Sequence, residues 1–185
     1  MTDRSDFVPT MSIDARAVRA VLPGLLLAVL TMLLGFALGV VFGLNEEAIT
    51  SRLAASAAAV RDSVYHGDDA AIKAVLAKSW AYMQRAHLHA GSLGVAAAVL
   101  TLCVVLAGAS ARVCGALSTG LGAGGLGYSV FWLIAGFRAP SLGSTGAAKE
   151  SLKWLAMPSS GLVVVCTVAT AVVLVRSIAR RRSSP

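Results

Sequence analysis

The chain has 185 residues, of which 57% are hydrophobic and only 14% charged, with a mean hydropathy of +0.77. A water-soluble domain of this length carries about 45–50% apolar and about 25% charged residues, so the composition argues against an ordinary soluble fold and for one membrane domain. The net charge of +7 does not point to nucleic acid, because the bases stand at the ends of apolar runs and in "RSIARRR", Arg176 to Arg182, where headgroups and topology account for them.

Residues 1–16 are polar and read as a flexible N-terminus. The apolar run from Ala17 to Gly43 is too long for a signal-peptide core and is expected to be an uncleaved first span. Pro23 falls near its start, where a lost backbone donor costs least. Gly35, Gly39 and Gly43 recur every four residues, a glycine zipper that lets another helix approach closely.

Asn45 is placed to cap a second helix, with Glu46 and Glu47 in its first turn. Ile49, Leu53, Ala57, Val60 and Val64 make one apolar stripe, and Arg52, Arg61 and Asp62 lie off it, which predicts an amphipathic helix over 46–64. "HGDD" ends it: Gly67 suits a left-handed stop, and Asp68 or Asp69 can cap a third helix. That helix, about 69–107, begins amphipathic and becomes apolar enough to span over 86–108. Residues 45–85 thus form an extramembrane helical hairpin, packed through Ile49, Leu53, Val60, Ile72, Leu76 and Met83.

"GASAR" is a tight turn with Arg112 at the interface, and 112–137 is the third span. It carries Gly115, Gly120, Gly122, Gly124, Gly125 and Gly127. Each glycine would weaken a helix in water by about 1 kcal/mol. In a bundle such glycines mark a packing seam, here through Gly120, Gly124 and Gly127, in preference to local unwinding. Tyr128 and Trp132 suit either a headgroup belt or an interior lining. Arg138 and Pro140 close the span, and 147–157 reads as an interfacial helix with Trp154 as anchor. Pro158 opens the fourth span, 158–178, and 181–185 is a basic tail end. No internal duplication is visible. The expected fold is an all-α integral membrane protein with four transmembrane helices and a helical hairpin between the first and second.

Four spans put both termini and the 108–112 turn on one side. Lysines and arginines divide evenly, eight to a side. The arginine-dense tail, and the acids mixed into the hairpin side, favour cytoplasmic termini in an inner or cell membrane.

The chemistry-bearing stretch is "RAHLHAGSLG", Arg85 to Gly94. At ~100° per residue, His87 and His89 stand ~200° apart on a helix and cannot chelate one metal. The i, i+4 spacing of a helical two-His site is missing. His87 shares the apolar side of Ile72, Leu76, Trp80 and Met83, which assigns it to packing. His89 shares a face with Lys78, Tyr82 and Arg85 that continues through Ser92, Ala96 and Cys103, a polar mouth above small residues. That makes His89 the functional candidate and a weak metal candidate. The run resembles the His-rich helix starts of haem-copper oxidases over a handful of residues, too few to assign that family. The third histidine, His66, sits in the hairpin turn, so a bis-His haem would need a dimer or a partner chain. No cofactor is expected, with haem as the minor alternative.

A second candidate is "LGSTGAAKE", where Ser144 and Thr145 precede a helix start with Lys149 one turn in. This is either an anion cradle or a simple cap beside headgroups. The candidate ligand-binding set is therefore Tyr82, Arg85, His89, Arg138, Ser144, Thr145 and Lys149. Cys103, Cys114 and Cys166 fit no zinc spacing and read as small buried hydrophobes. All nine acidic residues lie outside the apolar runs, which argues against a proton-coupled pump. No serine or threonine lines up with a His and a carboxylate, so no catalytic residues are assigned. The expected function is a non-enzymatic subunit, assembly factor or scaffold that packs through glycine-rich faces. Its partners would be the lipid bilayer and another membrane protein, in a homo- or hetero-oligomer. The alternative is a ligand-binding or redox membrane protein with its site at the outer ends of spans two and three and the 138–157 connection.

Overall fold

A computed structural model of the chain describes residues 14–182. The polar stretch before them and the last three residues lie outside the described residues. The regular elements are helical: α1 (Ala15–Ala58), α2 (Asp69–Leu106), α3 (Ala111–Arg138), the short α4 (Thr145–Glu150) and α5 (Lys153–Arg182). Helices α1, α2, α3 and α5 are long and apolar enough to cross a membrane. α1, α2 and α3 pack against one another, whereas α5 lies chiefly along α3 and makes no close backbone approach to α1.

α1 departs from the expected boundaries at both ends. It begins inside the stretch expected to be flexible, because Asp14 caps it by accepting from the Arg16 amide at 2.8 Å. Pro23, expected near the start of the span, lies inside the helix in its third turn. The first span and the first hairpin helix form one element, bent at Asn45, whose φ/ψ of −130°/25° are not helical. Asn45 does not cap the second half. Its Nδ2 donates back to the Val41 carbonyl at 3.2 Å, so the amide serves the preceding turn.

The helix stops at Ala58, not at residue 64, so Val60 and Val64 leave the stripe. The chain coils instead through a turn in which Tyr65 is buried and donates its hydroxyl to the Pro140 carbonyl at 2.7 Å. His66 and Gly67 take left-handed φ of 53° and 77°, and Asp68 caps α2 by accepting from the Ala71 amide at 2.9 Å. Arg61 clasps Asp69 across the tip at 3.0 Å, an exposed pair that contributes little.

Inside the hairpin, Leu53, Met83, Ala86, Leu38 and Phe42 form a buried cluster flanked by Ile49, Leu76 and Trp80. Val60 and Ile72 do not join it. Beyond the positive-φ Gly108, α3 runs unbroken through its glycines, so none of them marks an unwinding. The 147–157 interfacial helix is replaced by two pieces. Ser144 caps α4 early, a turn at 151–152 ends it, and α5 is already helical at Lys153 with Pro158 inside it. α5 also continues through Arg182, into the stretch expected to be a tail end.

Close approach explains most of the glycines. A Cβ on Gly35 would lie 2.6 Å from the Gly91 nitrogen of α2, and one on Gly39 would lie 2.8 Å from the His87 ring. Gly43 has open space around it and is not part of that seam. On α3 the glycines serve three directions. Gly115 and Gly122 meet α1, Gly125 and Gly136 meet α2, and Gly120, Gly124 and Gly127 meet α5 at Cys166, Ser159 and neighbouring side chains.

Candidate functional site

The two histidines face different helices. His87 Nδ1 lies 2.8 Å from the Gly35 carbonyl of α1, and a carbonyl only accepts, so this nitrogen carries the proton. His89 turns to α3, with its ring centroid 5.1 Å from that of Tyr128 and 6.3 Å from that of Trp132. They share no pocket. Among the described residues no group of three His, Cys, Asp or Glu side chains is placed to hold a metal ion.

His89 lies at the edge of an aromatic cluster at the end of the bundle where α2, α3 and α4 meet. Tyr82 is buried and meets Trp132 edge-on at 4.8 Å, and Phe131 packs against Trp132 at 5.1 Å. The Arg85 guanidinium sits 5.4 Å from the Tyr82 ring centre and 5.1 Å from that of Trp132. Lys149 of α4 brings its ammonium within 6.0 Å of the same Tyr82 ring. Aromatic faces attract both cations, by about 0.5–1 kcal/mol at exposed positions.

Of the seven candidate ligand-binding residues, Tyr82, Arg85, His89 and Lys149 come together here. Arg138 is exposed at the end of α3 and makes no ring contact, and its carbonyl accepts from the Ser141 hydroxyl at 3.0 Å. Ser144 is a cap: its Oγ accepts from the Gly146 and Ala147 amides at 3.1 and 3.3 Å, which occupies the donors an anion cradle would need. Thr145 opens α4 without a side-chain hydrogen bond. Below His89, Ser92 and Ala96 are exposed. The small residues that α2 buries are Ala86, Ala90, Gly94 and Ala97, on another side.

Spacing alone does not single out Phe131, and it leaves Tyr128 and Trp132 between two roles. Their signal is the aromatic run "YSVFW" immediately after the glycines, at a spacing that returns Tyr128 and Trp132 to one helix face. Which helix that face meets is a tertiary fact. Trp132 also carries a buried Nε1–H that has no acceptor among the described residues.

The architecture defines an all-helical bundle with four helices able to cross a membrane and a cationic, aromatic-walled cluster at one end. Comparison with known protein families, with curated proteins and with solved structures found no match for this chain.

Proposed function

We propose that the chain is a multi-pass inner-membrane protein, with cytoplasmic termini, that works without catalysis as a subunit, assembly factor or scaffold for another membrane protein. The observation that carries this reading is the unequal covering of its apolar helices. Half of the most apolar window of α3 is buried (50%), but only 11% of that of α5. Val164, Val165, Val168 and Val175 lie open along α5. Lipid covers part of such a surface, and a partner helix can cover the rest by van der Waals packing. The glycine seams at Gly35, Gly39, Gly120, Gly124 and Gly127 are occupied within the chain, which moves the docking face from the glycines to the β-branched flank of α5.

A photo-reactive amino acid at Val168, activated in native membranes, tests this reading. The expected product is a discrete cross-linked protein band, either a second copy or a different chain. Adducts to lipid alone would overturn it. Orientation has its own test. Asp62→Cys, at the hairpin tip, should react with a membrane-impermeant maleimide in intact cells. Labelling only after the membrane is broken would place the hairpin on the cytoplasmic side.

A further inference from the structure

We propose that Arg85 and Lys149, set around the Tyr82 ring with Trp132 beside them, form a binding site for a phosphate-type oxyanion. The site goes beyond the scaffold reading and does not depend on it.

Two cations gathered at one aromatic ring repel each other, and a carboxylate between them would ordinarily offset this. Among the described residues none lies within 4 Å of either: the ion pairs are Arg61 with Asp62 and Asp69, and Lys153 with Glu150. Glu150, next to Lys149 in sequence, is engaged by Lys153 at 3.0 Å. The cluster also holds the orphaned Trp132 Nε1–H. It therefore gathers two cations with no carboxylate within 4 Å, beside one buried donor without a partner.

The chemistry selects the class of ligand. The Arg85 guanidinium carbon lies 5.4 Å from the Tyr82 ring centre and 5.1 Å from that of Trp132, and no carboxylate lies within 4 Å of it among the described residues. A guanidinium presents a fork to two oxygens of one anion, and the Lys149 ammonium adds a point charge from another direction. An anion with three or more acceptor oxygens has acceptors enough for both cations. Both residues are exposed, so the ligand can arrive from water or from a neighbouring headgroup. The shared chemistry is a phosphate, carried either by an anionic lipid or by a soluble phosphate compound.

The test uses the full chain in a neutral maltoside detergent. Binding of short-chain phosphatidylglycerol and of inorganic phosphate is followed by native mass spectrometry and by thermal shift. Saturable binding of at least one probe is expected, weakened by about tenfold in Arg85→Gln and in Lys149→Gln, the loss typical of one charge-assisted contact. Lys73→Gln, at an exposed position outside the cluster, should bind as the parent does. Binding of phosphatidylglycerol without phosphate assigns a lipid headgroup, and binding of phosphate assigns a soluble ligand. Should Arg85→Gln fail to fold, Lys149→Gln on the short, exposed α4 carries the comparison. No saturable binding of either probe, or binding unchanged in Lys149→Gln, overturns the proposal.

Discussion

At the scale of single residues, His87 and Gly39 work as a pair. The imidazole lies across Gly39 and donates to the Gly35 carbonyl one turn earlier, filling the space that the missing Gly39 side chain leaves between α1 and α2. Gly39→Leu would drive a side chain into that ring, and overpacking of this kind costs about 1–3 kcal/mol. Gly43→Leu, one turn on in open space, should be nearly silent. Thermal unfolding of the two variants in detergent, side by side, checks the contrast. By the same reasoning His87→Leu should lower stability and His89→Leu should leave the fold intact. Tyr65 supplies a pH dependence. Burial pushes its phenol above the ordinary value of 10.0, so the folded state favours the protonated form that donates to Pro140. That stabilisation is complete below the ordinary value and is lost as pH rises through the raised one. Protease sensitivity of the hairpin tip should therefore increase above about pH 10 and stay flat in Tyr65→Phe.

At the scale of elements, α3 is the helix on which the others assemble, and its glycines set the distances. A Cβ on Gly124 would meet the Ser159 carbonyl at 2.8 Å, backbone that cannot rotate away. Gly124→Leu should push α5 off α3 while leaving α1, α2 and α3 in contact. Limited proteolysis checks this through faster cleavage at Lys153 with unchanged cleavage at Lys73. The hairpin depends on apolar packing rather than on ion pairs. Leu53 is 2% exposed within the cluster of Met83 and Phe42. Leu53→Asp buries an unpaired carboxylate there and should cost a few kcal/mol. The readout is tryptic cleavage at Lys73 and Lys78, expected to accelerate. Resistance equal to the parent would mean that the stripe does not hold the hairpin.

At the scale of the whole molecule, the bundle divides into a mutually packed trio and one flanking helix. Because α5 makes no close backbone approach to α1, a chain ending at Leu152 should keep α1, α2 and α3 together, with parental resistance at Lys73. The hairpin is tied to the same body at its far end, where Tyr65 meets Pro140 and Val64 lies against the positive-φ Gly143. The cationic cluster lies near this junction, so the segments that build it are held by α2, α3 and the docked connection together.

The amino-acid sequence alone determined the number of long apolar helices and the extents of α2 and α3, because hydropathy and helical periodicity are local properties. It also determined the separation of His87 from His89, since ~200° of rotation comes from helix geometry without any neighbour. Turn chemistry was equally legible: Gly67, Asp68 and Gly108 act where their residue types imply. Boundaries set by distant partners were not. The end of α1 at Ala58 is tied to a hydroxyl reaching a carbonyl 75 residues away, which no local stripe encodes. The glycine seams could be counted but not assigned, since a glycine records only that something comes close. The site divides in the same way. Arg85, Tyr82 and His89 share a helix face and could be grouped from spacing, whereas Trp132 and Lys149 join them only because α3 and α4 are packed there. Ser144 stands between an anion ligand and a helix cap in the sequence, and the fold decides for the cap, because the capping bond depends on backbone angle.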